Sequence, residues 1–193
     1  MNTTDILALA KERVIPLIDK YYEVNPELRA LLLLHSEAVA RKALDCAESV
    51  QNRGEIIDLA FVAEAAMLHD IGVVRCDAPD IYCYGTEPYI CHGVIGGEIL
   101  RQEDMPRHAL VSERHTGAGL TVEDIEHQSL PLPHRDMTPR SIEERLICYA
   151  DKFFSKSGYA AIEKPFDRVC TSMRRHGEDT LRRFLLLHAE FGY

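Results

Sequence analysis

The chain has 193 residues, 46% of them hydrophobic, which is enough to bury one good core and short for two. Its formal net charge of -9, with no run of lysine or arginine, lacks the footprint of a DNA groove or an anionic-membrane contact. No segment approaches the roughly 20 consecutive apolar residues of a membrane span, and charges enter the N-terminal MNTTDILALAKERV too early for a signal peptide. A soluble, cytoplasmic protein of one domain is expected. Six cysteines without a C-x-x-C pair read as reduced, packing thiols.

Helical periodicity runs through nearly every segment, and no alternating strand of five residues or more stands between the turn signals, so the expected fold is all-α. The first helix covers 4–22, with a kink expected at Pro16. Asn25-Pro26-Glu27 supplies an N-cap and a first-turn proline for a long helix reaching about Val50. A third helix is expected over 56–71, stopped by Gly72 in the left-handed conformation. An irregular stretch follows from Arg75 to Cys91, whose Tyr82, Tyr84 and Tyr89 are candidates to line a pocket or to anchor the loop. Shorter helices are expected at 93–103 and 106–115. After a proline-rich loop, Ser141-Ile142-Glu143-Glu144 matches a capping box and opens a helix to about Ser157. Two amphipathic helices, 165–176 and 178–190, complete the chain, and Leu185-Leu186-Leu187 on the last leaves a helix-mediated homodimer open.

Polar residues interrupt these apolar faces at a few positions. His35 falls in the stripe of Leu28, Leu31, Leu32 and Val39, and Asp151 lies between Ile147 and Phe154, so both should point inward. His69 and Asp70 end the third helix, where the helix dipole disfavours a carboxylate unless a cation is near. A buried ionised carboxylate needs the same compensation. Two imidazoles and two carboxylates from three helices suit a borderline divalent ion such as Mn, Fe, Co, Ni or Zn. His92 and His115 sit at element ends beside glycine and are weaker candidates. The remaining histidines, 108, 127, 134, 176 and 188, read as surface or packing residues.

The order His35, His69-Asp70, Asp151 resembles the HD-domain superfamily of metal-dependent phosphohydrolases, with its H…HD…D pattern on a helical bundle, and HDIG at 69–72 is a spelling often seen there. With His92 and His115 the order becomes H…HD…H…H…D, similar to the dinuclear subset that includes HD-GYP phosphodiesterases and diadenosine tetraphosphate hydrolases. HGVIGGEIL, ERHTGAGLT and ERLICYADKF match in local context, and the resemblance covers about 28–158. It implies one metal held by His35, His69, Asp70 and Asp151 and a second by His92 and His115, with Asp70 bridging. The implied activity is hydrolysis of a phosphate ester or anhydride in a nucleotide or small phosphorylated metabolite. Val73 stands where many relatives carry a lysine, so Arg75, Arg114 and Lys152 are candidates for the phosphate contact. GAGLT after His115 lacks the GYP element. The alternatives are a di-iron oxygenase with the same ligands and a non-catalytic nucleotide-binding module.

Overall fold

The computed structural model describes residues 2–156 and 161–192. Helix α1 (Thr3–Tyr22) starts from Asn2, whose side chain accepts the Asp5 N–H, and continues unbroken through Pro16. Helix α2 (Pro26–Gln51) has the cap read from the sequence: Asn25 accepts from Leu28 N at 3.0 Å, and Pro26 occupies the first turn, where its missing N–H costs nothing.

Helix α3 (Leu59–Leu68), LAFVAEAAML, is the centre of the molecule. A helix apolar on nearly every side has to be enclosed, and α3 packs against α1, α2, α5 (Pro106–Arg114) and α7 (Ile142–Asp151). Ala63, Ala65 and Ala66 present small side chains at these crowded faces, and all three are buried. The helix is shorter than expected at both ends. Asp58 caps its start by accepting from Phe61 N at 3.1 Å, and regular α-helix stops at Leu68.

A 3-10 turn, Ile71–Arg75, follows immediately, pinned to α1 by the buried Tyr22 hydroxyl, which donates to Ile71 O at 2.9 Å. Gly72 does not take the left-handed conformation expected of it; among the described residues the glycines at positive φ are Gly54, Gly117, Gly119 and Gly177. Gly72 is needed for a different reason. A Cβ there would lie 2.1 Å from His92 O and 2.4 Å from Gly96 N, both on the backbone of α4 (His92–Gln102). The glycine lets helix and turn touch.

The irregular stretch carries a small sheet in the order β2-β1-β3, from β1 (Cys76–Ala78), β2 (Cys83–Tyr84) and β3 (Glu87–Pro88). β1 pairs antiparallel with β2 and parallel with β3, with Asp77 opposite Tyr84 and Cys76 opposite Glu87. Helix α5 packs on α4. A short α6 (Val122–His127) is closed by a reciprocal capping box between Thr121 and Asp124. Helix α7 begins at Ser141, which accepts from Glu144 N at 3.1 Å, but it ends at Asp151 rather than near Ser157. Helices α8 (Phe166–Arg175) and α9 (Glu178–Phe191) pack on each other, and α9 lies on α7. Apolar residues from every helix but α6 join one core, to which Leu187 contributes while Leu185 and Leu186 stay exposed; Ile125 of α6 packs with Leu120, Leu132 and Met137 in a second, smaller cluster. Among the described residues the architecture is all-α, and no helix is long and apolar enough to cross a membrane.

Candidate metal centre

Four helix ends and one helix face deliver six polar side chains to a single buried point. His35 comes from the middle of α2, His69 and Asp70 from the end of α3, His92 from the start of α4, His115 from just past α5, and Asp151 from the last position of α7. All six are buried, and Asp70 is wholly enclosed. His35, His69, Asp70 and Asp151 form one group whose ligand atoms lie within 4.8 Å of one another, and Asp70, His92 and His115 form a second. Asp70 is common to both.

Its two oxygens divide the work. Oδ2 is 2.9 Å from His69 Nε2 and 3.2 Å from His35 Nε2. Oδ1 faces the other way, 3.3 Å from His115 Nε2 and 3.4 Å from His92 Nε2. Asp151 joins the first group through Oδ1, 3.1 Å from His35 Nε2 and 3.4 Å from His69 Nε2. A carboxylate has enough lone pairs to serve two ions in this way.

The protonation pattern follows from the backbone. His69 Nδ1 faces Ala66 O, His92 Nδ1 faces Tyr89 O, and His115 Nδ1 faces Ser112 O, each at 2.7 Å and each three residues upstream. A carbonyl only accepts, so each Nδ1 carries a proton, and Nε2 is the ring atom left facing the cluster. His92 Nε2 and His115 Nε2 are then 3.1 Å apart with both lone pairs inward. Among the described residues, His69 Nε2 and Asp70 Oδ1 are buried without a hydrogen-bond partner. Buried polar atoms rarely stay unpaired, and this donor set fits a divalent transition ion.

The electrostatics agree. Burial works to raise the Asp70 carboxyl, but His69 and Lys156, with His115 and His35, hold it well below the ordinary carboxylate range. Asp151 is likewise held low against its burial, chiefly by Lys152 and His35. Burial pushes His92 down to about 3, against the pull of Asp70, and also lowers His115. His69 is lifted to about 9 because Asp70 and Asp151 outweigh its burial. The carboxylates that draw a proton there would draw a metal cation in its place.

Of the three basic residues singled out in the sequence, only Lys152 reaches this centre; it lies 2.7 Å from Asp151 Oδ2 and donates to His115 O at 2.8 Å. Arg114 turns away to Glu144, with contacts of 2.9 and 3.1 Å, and Arg75 is exposed at the end of the 3-10 turn. Lys156, not singled out, sits 2.5 Å from Asp70 Oδ2. Burial opposes its charge, but Asp70 raises its pKa. Both lysines line a cavity of about 470 Å³ that opens from His92, His115 and Asp151. Lys164 lines it too, and Leu120, Leu130 and Met173 form part of an apolar wall. Tyr89 also lines it, stacked on His92 at 4.8 Å, whereas Tyr82 and Tyr84 are exposed elsewhere. His176, read as a surface residue, lies at the same cavity. None of the described cysteines joins either ligand group.

The family model described as the HD domain matches residues 32–155, well over half of the chain. The chain belongs to the HD domain family. The matched HD domain segment begins just before His35 and ends just after Asp151, so it contains all six converging residues. Among curated proteins, an uncharacterized protein of Methanocaldococcus jannaschii is 33% identical over 159 residues, covering 81% of this chain and 85% of the relative. A tRNA (cytidine(56)-2'-O)-methyltransferase of Picrophilus torridus is 31% identical, covering 83% of this chain but only 41% of its own length. The enzyme of the same name from Thermoplasma volcanium is 30% identical over 81% of this chain and 40% of its own length. No solved structure matches.

Proposed function

We propose that the protein is a metal-dependent phosphohydrolase acting on a phosphate ester or anhydride of a nucleotide or another small phosphorylated metabolite. The observation that carries this reading is one carboxylate, Asp70, shared by two histidine-bearing groups whose His92, His115 and Asp151 line a pocket that also holds three lysines. His35, His69, Asp70 and Asp151 would hold one ion, and Asp70, His92 and His115 a second. Two such ions supply Lewis-acid charge and bring the pKa of water toward neutrality. The chain's own residues do the rest. Asp70 fixes the spacing of the two groups, because both of its oxygens are committed. Lys152 takes Asp151 Oδ2, which leaves Oδ1 toward His35 and His69. The lysines face the side on which an anion would enter, and the apolar wall of Leu120, Leu130 and Met173 offers a surface for the remainder of a small substrate. No side-chain nucleophile is required, since water attacks phosphorus in line.

Methyl transfer is not carried over from the similar methyltransferases, because the chain spans only about two-fifths of their length and that activity belongs to the longer proteins. The deciding experiment is metal analysis of protein purified without added metal, followed by turnover assays on phosphomonoesters, phosphodiesters and nucleotides with Mn2+, Co2+, Ni2+, Zn2+ or Fe2+. Metal-dependent phosphate release that disappears in Asp70→Ala is the expected result. Two bound irons with oxygen-dependent consumption of a hydroxylated substrate, and no phosphate release, would replace this reading by the oxygenase one.

A further inference from the structure

Two lysines reach the acidic floor of the pocket, and they hold different kinds of oxygen. Lys152 is on Asp151 Oδ2, while Oδ1 is the atom turned to His35 and His69. Lys152 and a cation can therefore share Asp151. Lys156 is on Asp70 Oδ2, the same oxygen that faces His69 Nε2 and His35 Nε2. A transition ion needs its carboxylate oxygen at about 2.0–2.2 Å, so an ammonium packed on that oxygen competes with it for space, and the two cations repel in a site excluded from water. Lys156 has somewhere to go, since it lines the pocket and its Nζ lies 5.8 Å from the centre of the Tyr89 ring. Val73, next to the HDIG stretch, is apolar and buried and supplies no cation.

We infer that Lys156 and the ion of the first group exclude one another at Asp70 Oδ2, and that the displaced ammonium turns into the pocket as a ligand for the substrate's phosphoryl oxygens. The inference rests on the metal-dependent reading above and adds an order of events: metal first, phosphate second, each strengthening the other by linkage. Lys156 would thus do from beyond α7 what a lysine at the position of Val73 could have done from the turn.

The test uses the full-length wild-type protein, Mn2+ alone and then inorganic phosphate. Labelling of Lys156 by an amine-reactive reagent, read by peptide mass spectrometry, should rise on Mn2+ loading and fall again with phosphate, while Lys152 labelling stays constant. Lys156→Met should bind Mn2+ more tightly, and the loaded variant should bind phosphate about tenfold more weakly. Mn2+ binding that leaves Lys156 labelling unchanged overturns this inference and leaves the metal centre standing. Failure of wild type and variant alike to bind any of the metals overturns both.

Discussion

Replacing Gly72 by alanine would put a methyl carbon 2.1 Å from His92 O, 2.4 Å from Gly96 N and 2.9 Å from Gly96 Cα. All three are backbone atoms of α4, so no rotamer change relieves the overlap. The closest pair must separate from 2.1 Å to at least 3.0 Å, a shift of about 0.9 Å. The turn is held by the Tyr22 hydroxyl and by the fully buried Ile71, which leaves α4 to yield. His92 rides on the first residue of α4, whereas His35, His69 and Asp151 do not. Gly72→Ala should therefore spoil the second ligand group and spare most of the first. Overpacking of this kind costs about 1–3 kcal/mol, and at roughly 2–4 °C per kcal/mol for a chain of this size the Tm should fall by about 2–12 °C. Differential scanning calorimetry of the metal-free protein measures the fall, and plasma emission analysis after dialysis should show metal content dropping from two per chain toward one. An unchanged Tm with two ions retained would refute the claim that α4 is packed against this glycine.

Asp70→Ala should remove both ions, because each group uses one of its oxygens, while His92→Ala and His115→Ala should each reduce the content only from two toward one; equal losses in all three variants would disprove the sharing. Ser112→Ala deletes a buried hydroxyl that donates to His69 O at 2.7 Å, and losing it should cost about 1–3 kcal/mol with a carbonyl left unsatisfied. A shift of the urea midpoint at constant m-value checks this, and no shift would mean that another donor reaches the carbonyl. Arg114→Ala takes the guanidinium from Glu144, which keeps the Arg140 N–H at 2.8 Å, and should cost about 1–3 kcal/mol while metal content stays the same; loss of metal without loss of stability would place Arg114 in the centre instead.

His35, His69, Asp70 and Asp151 were legible in the sequence because each interrupts an apolar stripe or ends an apolar helix, where charge has to be compensated, whereas His92 and His115 stood only at element ends beside glycine. Their order then added what periodicity could not, the association of His92 and His115 with the same point. Lys156 was hidden by a helix boundary. A helix running to Ser157 carries Lys156 about 140° around the axis from Asp151, off the cluster face, whereas the actual end at Asp151 lets the chain fold the lysine back. Gly72 was visible as a glycine, but the sequence does not say which property of glycine is in use, and here it is the missing side chain rather than the positive φ. Helix α6, only six residues long, offers too few turns for periodicity, although its Thr121…Asp124 box was there to be read. Strands of two and three residues have no alternation to detect.

The three histidines whose Nδ1 hydrogens go to carbonyls three residues upstream share a property that concerns the site's tolerance of change. No other side chain sets their tautomers, so no substitution of an outer partner can flip them, and a mutational scan around the cluster should find few sensitive side chains beyond the ligands and their lysines. Sensitivity should gather instead at the positions that shape the backbone, the helix ends and the glycines of α4. His35 is the exception: its Nδ1 is buried without a hydrogen-bond partner, so its ring orientation depends on packing within α2 and on the cluster itself. Of the six, it is the ligand that a designer could retune by introducing a single new hydrogen-bond acceptor.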